Sequence, residues 1–163
     1  MAAAGEGTNE PRPLAEGVEI RLALAEEADP LLPLMRAYCD FYEVDPADSG
    51  LLEMARALIA DPEQGSLFVA AEDAELIGFA ALGWKWASTR GARIGVMEDL
   101  FVDPGARGKG VADGLIAACA ERCRERGAPV LEWVTAPDNK RAQVVYERQG
   151  AEAETWLEYE LIL

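Results

Sequence analysis

The chain has 163 residues, of which 50% are hydrophobic, and it carries a formal net charge of −15 at pH 7 with no histidine. This length suits one globular domain with a sizeable core, and the apolar runs are too short to cross a bilayer. Because nucleic-acid backbones and anionic lipid surfaces select basic proteins, the acidic charge argues against a nucleic acid or a membrane as a partner.

Residues 1–16 are predicted to form a flexible leader ahead of a single domain at residues 17–163. The segment MAAAGEGTNEPRPLAE is small, polar and proline-rich, and it lacks the basic flank and long apolar centre of a secretory signal. The three cysteines, Cys39, Cys119 and Cys123, form no CxxC pair and no even disulfide framework. We therefore expect reduced thiols in the core and a cytoplasmic location. Without histidine, and with thiols this scattered, we expect no bound metal.

The domain is predicted to begin with one strand and two helices. VEIRLAL, at 18–24, alternates apolar and polar residues as a strand does. In DPLLPLMRAYCDFYE, at 29–43, apolar residues recur at helical spacing after Asp29, a residue type that caps helices. LLEMARALIA, at 51–60, repeats the helical spacing, and DPEQG ends it.

An antiparallel meander of three strands is predicted next. SLFVAAEDAELIGFAALGWKW, at 66–86, contains two strands joined by a short polar turn at 72–75. RIGVMEDLFV, at 93–102, is the third strand. The period of the apolar residues then becomes helical from Gly108 to the closing Gly127.

The order is predicted to end with a strand, a helix and a strand. VLEWVT, at 130–135, has the composition of a buried strand. DNKRAQVVYERQG, at 138–150, is typical of a short helix capped by Asp138, and TWLEYELIL, at 155–163, alternates as a strand does. The complete order indicates an α/β (α+β) fold with a mixed sheet that is covered on both faces.

A glycine-rich loop, VDPGARGKGVADGL at 102–115, joins the third meander strand to the long helix. The first turn of a helix presents unpaired backbone N–H groups and the positive end of the helix dipole. Gly108 and Gly110 leave the backbone open to a ligand, and Arg107 and Lys109 add positive charge, as a pyrophosphate site requires. The alternative is an ordinary glycine-rich turn with two solvated cations.

Two other phosphate-binding motifs do not fit the spacing of this loop. A P-loop needs GxxxxGK followed by serine or threonine, but Lys109 is followed by Gly110. A dinucleotide fingerprint needs GxGxxG in the first strand-helix-strand unit. Here the glycines have GxGxxxG spacing and lie two-thirds of the way along the chain.

The loop and a second segment resemble the GNAT superfamily of N-acetyltransferases. EDLFVDPGARGKGVA is similar to the family's acyl-coenzyme A signature, R/Q-x-x-G-x-G/A, which falls on Arg107, Gly110 and Ala112. NKRAQVVYERQGA, with Asn139 and Tyr146, resembles the family's second conserved block. Within the superfamily, MEDLFV, LEWV and YERQGA are most similar to the spermidine/spermine N-acetyltransferase branch.

The resemblance implies an enzyme that uses acetyl-CoA as cosubstrate and forms a homodimer. Backbone amides at 108–112 would bind the coenzyme A pyrophosphate, and the end of the fourth strand would pair with the pantetheine arm as an added strand does. The cofactor-binding residues that the resemblance implies are Leu100, Phe101, Val102, Arg107, Gly108, Lys109, Gly110, Val111, Ala112 and Asn139.

An amine acceptor would need a proton acceptor, which in the absence of histidine is a carboxylate, a tyrosine or a water chain, and Glu98 is the chosen candidate. With a reference pKa of about 10.4, few amines are neutral at pH 7, which adds about 4 to 5 kcal/mol to the barrier for attack on a thioester. On an unbroken strand Glu98 shares a face with Val96 and Leu100, an unusual row for a carboxylate. The alternatives are a bulge that turns Glu98 to solvent, or a pairing with a cation. The tetrahedral oxyanion would be bound by a backbone N–H near Leu100.

Tyr146 is the candidate general acid. It lies on an apolar helical stripe with Ala142 and Val145, where a tyrosine is more often a core residue. In the family that the segment resembles, a tyrosine at this position protonates the leaving coenzyme A thiolate. Since no acyl-enzyme is needed, the cysteines are not proposed as nucleophiles.

The acceptor is expected to be a small amine bound by acidic and aromatic residues of the first half of the chain. Residues 26–63 contain ten Asp or Glu against two arginines. The candidate substrate-binding residues are Tyr38, Asp40, Glu43 and Glu98. The alternative for the acids is a solvated surface. Trp84 and Trp86 share a strand face and could line the acceptor cleft, pack in the core or form an interface.

Two other functional classes compete with an amine acetyltransferase. One is a regulatory module that binds acyl-CoA without turnover, and the presence of both Tyr146 and Glu98 argues against it. The other is a dinucleotide-dependent enzyme, which the glycine spacing disfavours.

Overall fold

The computed structural model describes residues 10–163, so residues 1–9 of the predicted leader lie outside the described residues. The structure divides into two compact units: residues 12–134 form one, and residues 135–163 belong to the other together with residues 10–11. Within residues 10–163, no helix has the length and apolar character needed to span a membrane.

The larger unit is a five-stranded mixed sheet with three α-helices. The sheet order is β1-β2-β3-β4-β5; its first four strands are antiparallel neighbours, and β5 runs parallel to β4. The elements in chain order are β1 (Val18–Leu22), α1 (Ala28–Phe41), α2 (Asp48–Ala60), β2 (Gly65–Glu72), β3 (Glu75–Ala87), β4 (Ala92–Val102), α3 (Val111–Glu125) and β5 (Leu131–Glu132). The mixed α/β fold and the three-strand meander are confirmed.

Helices cover both faces of this sheet. On one face, Leu31 and Met35 of α1 pack in the same buried cluster as Phe79 of β3 and Phe101 of β4. The other face meets α3: a Cβ added at Gly78, the neighbour of Phe79, would lie 3.2 Å from a methyl carbon of Val111. Because successive strand residues point to opposite faces, this close approach places α3 opposite α1.

The β2–β3 connection explains why the meander forms at this point of the chain. Asp73 and Ala74 are the two residues between the strands, and both have positive φ, at 49° and 67°. Two successive residues with positive φ give the turn type whose twist matches antiparallel strands. The predicted turn at 72–75 is confirmed.

The predicted leader is ordered where it meets α3. The backbone N–H of Arg12 donates to the Asp113 carboxylate at 3.1 Å, and the N–H of Ala15 donates to the Lys109 carbonyl at 2.9 Å. The segment at 12–15 therefore crosses the start of α3, although composition alone predicts a loose segment up to residue 16.

The last strands differ most from the prediction. β5 has only two residues, because only Leu131 and Glu132 pair with β4. The predicted final strand at 155–163 is wrong: residues 151–163 form no helix or strand, and the side chain of Trp156 is 81% exposed. A strand needs a partner to satisfy its backbone groups, and alternation in the sequence does not supply one.

The observed helix boundaries differ from the predicted ones by a few residues. The helix of residues 135–163 is α4 (Lys140–Arg148), whose N-cap is Asn139 rather than the predicted Asp138. The α1 helix has Glu27 at its N-cap, and Asp29 lies in its first turn, where it pairs with Arg56.

The three cysteines are free and buried, as the sequence predicts. Burial raises the pKa of each thiol, in the case of Cys119 to about 12. A raised pKa keeps a thiol protonated, so none of the three is a suitable nucleophile.

Candidate active site

In the larger unit, residues 12–134, the outer edge of β4 has no neighbouring strand over its second half. β5 pairs only with Gly95 and Val96, whereas β4 continues to Val102 alongside β3. Within residues 12–134, the backbone of 97–102 therefore has no strand on the β5 side. An edge of this kind offers N–H and C=O groups to an extended ligand. Among the residues predicted here, Leu100 and Val102 are half-buried, and Phe101 is in the core.

The free edge leads directly into the glycine loop and α3. Gly110 is the N-cap of α3 and, having no side chain, makes no side-chain capping hydrogen bond to the first turn. Gly108 is exposed, has φ +84°, and would place a Cβ in open space. Gly110 and Val111 are buried, and Lys109 and Ala112 are half-buried, so Gly108 is the exposed residue of 108–112.

The two cations of the loop differ in environment. The Lys109 ammonium donates to both oxygens of Glu72, at 2.7 and 2.6 Å, so its charge is largely balanced within the protein. Arg107 is exposed, and among residues 10–163 it makes no ion pair. Arg107 is therefore the cation of this loop that a ligand can approach.

Gly110 is required by the fold, a role that its sequence position does not reveal. It has φ +74°, and a Cβ there would lie 2.2 Å from the Pro13 carbonyl oxygen. The bare backbone at residue 110 thus accommodates the segment at 12–15, whereas Gly108 faces open space.

Replacing Gly110 by alanine should therefore destabilise the protein more than replacing Gly108. Both variants force a non-glycine residue into the left-handed region, at a cost of about 1–3 kcal/mol, but only Gly110→Ala also displaces the backbone of Pro13. Chemical denaturation of the two variants measures the difference. Equal losses of unfolding free energy would contradict the packing of 12–15 against the loop.

A β-bulge interrupts β4 at the candidate base. Ala81 of β3 pairs with Asp99 and the next residue, Leu82, pairs with Met97, so Glu98 is the extra residue. The predicted unbroken strand is therefore wrong, and the alternative of a bulge is the one observed: Glu98 is exposed. The Glu98 carboxylate lies near Gly83: its Oε1 is 3.7 Å from the position that a Cβ of residue 83 would occupy.

The bulge also turns Asp99 towards α1, next to Tyr38. The Tyr38 hydroxyl donates to the Glu98 carbonyl oxygen at 3.4 Å. Burial raises the pKa of Asp99, the nearby Tyr38 hydroxyl opposes the rise, and the Glu98 charge adds to it. Burial and the Asp99 charge likewise raise the pKa of Tyr38. Asp99 was not predicted; the signal in the sequence was two consecutive carboxylates in an otherwise apolar strand.

Replacing Asp99 by asparagine should stabilise the fold at neutral pH. The pKa of Asp99 is raised in the folded state above its ordinary value of 3.8, so the folded state binds the proton more tightly than the unfolded state. Stability then falls as pH rises above the ordinary pKa of the carboxylate, so part or all of this cost is present at pH 7. We expect a higher Tm for Asp99→Asn than for wild type at pH 7 and equal values near pH 3. A lower Tm for the variant at pH 7 would contradict a raised pKa of Asp99 in the folded state.

The other candidate acceptor residues lie at the end of α1. Asp40 and Glu43 are exposed, and neither forms an ion pair within residues 10–163. Arg36 instead pairs with Asp45 and Asp48. The unpaired carboxylates of this segment are therefore those of Asp40 and Glu43, whose charges remain available to a cation.

The two tryptophans of β3 have different surroundings. The guanidinium groups of Arg93 and Arg126 lie over the Trp84 ring, at 5.9 and 5.6 Å from its centroid, and the indole N–H donates to the Pro62 carbonyl. Trp86 is 79% exposed. Trp84 is thus a packed residue held by two cation–π contacts, while Trp86 is a surface residue.

In the smaller unit, Asn139 caps α4. Its side-chain oxygen accepts from the Ala142 N–H at 3.3 Å, and its amide donates to Thr135 Oγ1 at 3.3 Å. Tyr146 is half-buried on α4, and its carbonyl accepts from the N–H groups of Gln149 and Ala151 where the helix ends. Asn139 thus lies at the start of α4, and Tyr146 lies within this helix.

The chain matches known acetyltransferases over most of its length. The Acetyltransferase (GNAT) family profile matches residues 31–151. The uncharacterized N-acetyltransferase YhfO of Bacillus subtilis is 32% identical over 138 residues, which cover 85% of this chain and 92% of the relative. The D-amino-acid N-acetyltransferase HPA3 of Saccharomyces cerevisiae is 37% identical over 84 residues, about half of each chain.

Solved structures share the fold. The aminoglycoside N-acetyltransferase AAC(6')-Iy in complex with CoA superposes with a TM-score of 0.77 over 93% of this chain and 97% of that chain, at 23% identity. The family match covers far more than half of the sequence, and the sheet, the glycine loop and α3 are the elements that the sequence motifs predicted. The chain therefore belongs to the GNAT family and is an acetyltransferase of that kind.

Proposed function

We propose that this acetyltransferase transfers the acetyl group of acetyl-CoA to a primary amine of a small cationic molecule. The observation that carries the proposal is the free edge of β4 at 97–102, which leads through the Gly108 loop to a helix start without a side-chain cap. An extended arm that ends in a pyrophosphate is complementary to an edge followed by a helix N-terminus.

The proposed contacts to acetyl-CoA are mainly backbone contacts. The pantetheine arm pairs with the edge at 100–102, and the amides at 108–112 bind the pyrophosphate. Arg107 supplies the positive charge, with a smaller contribution from Lys109 because Glu72 balances it. Asn139 is proposed to contact the pantetheine arm, as the family resemblance implies. The same residue is the N-cap of α4.

The proposed reaction is direct attack of the amine on the thioester. Glu98, exposed at the bulge, accepts the proton from the amine or from a water bound to it. Tyr146 gives a proton to the coenzyme A thiolate as the C–S bond breaks. No acetyl-enzyme forms, in keeping with the raised thiol pKa values of the cysteines.

The acceptor is proposed to be a polyamine or a similar small cation. The similarity of MEDLFV, LEWV and YERQGA to the spermidine/spermine branch supports this class, and so do the uncompensated charges of Asp40 and Glu43. The name of the yeast relative makes amino acids the other class to examine. We also propose a homodimer in the cytoplasm, which rests on the family resemblance and the reduced cysteines.

Neutralising Asp40 and Glu43 together should raise the acceptor KM and leave turnover and acetyl-CoA affinity nearly unchanged. The two carboxylates would attract the cation before and after the chemical step alike, which is uniform binding. Such attraction is screened beyond a Debye length of about 8 Å at physiological salt, so kcat/KM for cationic acceptors should also fall as salt rises.

The measurement is thiol release across polyamines, lysine-like amines and neutral or acidic amino acids, at several salt concentrations. The matched control is a double variant of Glu53 and Glu75 to glutamine, which changes the net charge equally at exposed positions that form no ion pair within residues 10–163. A best acceptor that is anionic, with kcat/KM flat or rising with salt, would overturn the cationic class while leaving the acetyltransferase assignment intact.

A further inference from the structure

The segment at 12–15 is attached to the start of α3 by two backbone N–H groups. The N–H of Ala15 donates to the Lys109 carbonyl oxygen at 2.9 Å. The N–H of Arg12 donates to the carboxylate of Asp113, which is only 3% exposed. A buried carboxylate is retained in a fold when hydrogen bonds compensate its lost hydration. Both attachments therefore lie on the glycine loop and the first turn of α3.

Two glycines of α3 make room for this segment. Gly110 and Gly114 are four residues apart, so they lie on one face of the helix. A Cβ at Gly110 would lie 2.2 Å from the Pro13 carbonyl oxygen. A Cβ at Gly114 would lie 3.5 Å from a methyl carbon of Leu14. The GxGxxxG spacing thus serves two sides of the loop: Gly108 faces open space, and the other two glycines face the segment.

The hydrogen bond from Ala15 sets the direction of one backbone N–H of the loop. The Lys109–Gly110 peptide unit is trans and planar, so its C=O and its N–H point in opposite directions. The C=O of this unit is directed at Ala15, and its N–H, which belongs to Gly110, therefore points away from the segment.

The Gly110 N–H has no acceptor within residues 10–163, although Gly110 is buried. Buried backbone N–H groups are nearly always paired, and an unpaired one costs stability. A phosphate oxygen is a strong acceptor for an N–H group at a helix start. The direction of this N–H is therefore suited to an anionic ligand on the side of the loop opposite the segment.

We propose that the segment at 12–15 is a positioning element of the acetyl-CoA site, which directs the Gly110 N–H to the pyrophosphate by holding the Lys109 carbonyl from the opposite side. This inference rests on the proposed function, because it takes the loop at 108–112 as the pyrophosphate site. Attachment of the segment and binding of acetyl-CoA then favour the same loop conformation. By linkage, each should strengthen the other.

Calorimetry with acetyl-CoA tests the two attachments in the full chain. Ala15→Pro removes the N–H that binds Lys109 and should raise the acetyl-CoA Kd at least tenfold. Ala15→Gly keeps that N–H and should stay within threefold of wild type. Asp113→Ala should raise the Kd at least threefold, and Asp113→Asn, which keeps an acceptor oxygen, should restore most of the affinity.

Val69→Ala is the control for a general loss of stability. Val69 is fully buried in β2, in the cluster that packs against α1 rather than α3. This variant should unfold more easily than wild type and still bind acetyl-CoA with the wild-type Kd. Equal losses of affinity in Val69→Ala and Ala15→Pro would make the segment a merely structural support and overturn the positioning role.

S-acetylpantetheine separates the pyrophosphate loop from the rest of the site, because it has the thioester and part of the arm but no pyrophosphate. With this donor, kcat/KM should be the same within twofold for wild type and Ala15→Pro, whereas with acetyl-CoA it should fall at least tenfold in the variant. Amide hydrogen exchange gives a readout without turnover. Saturating acetyl-CoA should slow exchange of the Ala15 N–H at least threefold in wild type.

The contrary outcomes separate this inference from the proposed function. An acetyl-CoA Kd within threefold of wild type in Ala15→Pro, or an equal loss with S-acetylpantetheine, overturns the positioning role and leaves the proposed function intact. If Ala15→Pro does not fold, equal Kd values for wild type and Asp113→Ala overturn it instead. If the affinities follow the expected pattern but wild type forms no acetylated amine, the proposed function fails and the positioning role stands. Wild type that does not bind acetyl-CoA overturns both.

Discussion

Replacing Tyr146 by phenylalanine should lower kcat by about 10² to 10⁴, with acetyl-CoA affinity retained. A phenol with a reference pKa of about 10 can protonate a thiolate whose own reference pKa is about 8.5, and a positioned general acid contributes a factor of this size. The hydroxyl acts as the C–S bond breaks, so its loss should lower kcat and kcat/KM together. Steady-state kinetics and calorimetry with acetyl-CoA measure the two quantities.

Tyr159→Phe is the matched control, because Tyr159 is 88% exposed in a segment without regular structure. It should behave as wild type. An unchanged turnover number in Tyr146→Phe would leave Tyr146 with the packing role that its apolar stripe on α4 also allows.

Reversing the charge of Arg107 should weaken acetyl-CoA binding at least tenfold. Arg107 is exposed without an ion pair within residues 10–163, so the Arg107→Glu side chain would meet the pyrophosphate rather than a protein group. At a ligand concentration one hundred times the wild-type Kd, binding should stabilise wild type by roughly 2.7 kcal/mol. At the same concentration the variant should gain at most about 1.4 kcal/mol.

Thermal or chemical denaturation with and without acetyl-CoA makes this comparison. Arg90→Glu is the control, since Arg90 is an exposed residue in the turn before β4 and the substitution changes net charge equally. If both charge reversals leave the ligand-induced stabilisation unchanged, the pyrophosphate does not bind at this loop.

The regular elements of the larger unit follow from local patterns. The period of apolar residues predicts α1, α2 and α3, and alternation with a polar turn predicts β2 and β3. These patterns succeed because each element buries one face against the sheet or the helices, and that burial is already encoded in residue spacing. The order of elements then limits the topology to a mixed sheet with helices on both faces.

Features set by distant residues could not be predicted in the same way. Glu98 was assigned a strand face from simple alternation, but the bulge opposite Ala81 and Leu82 changes which residues share a face. The need for glycine at 110 arises from Pro13, about a hundred positions earlier in the chain. The balance of the Lys109 charge by Glu72 likewise depends on β2 lying near the loop.

The smaller unit shows the limit of strand patterns. TWLEYELIL alternates well, yet the residues at 155–163 are exposed and unpaired with any strand within residues 10–163. Alternation describes how a segment would fit a sheet, while formation of the strand requires a free edge in register. In contrast, α4 was predicted from its own segment, because its apolar stripe and the residues that end it are local features of that sequence.

The central claim is that acetyl-CoA donates its acetyl group directly to an amine at this site. The most direct measurement is the stoichiometry of coenzyme A release and N-acetylated product, followed together by mass spectrometry with a cationic amine as acceptor. The account predicts one acetylated amine for each coenzyme A released, no acetyl group on the protein, and release that depends on the amine. Tight binding of acetyl-CoA with no acetylated amine from any acceptor would contradict the account and leave a module that binds acyl-CoA without turnover.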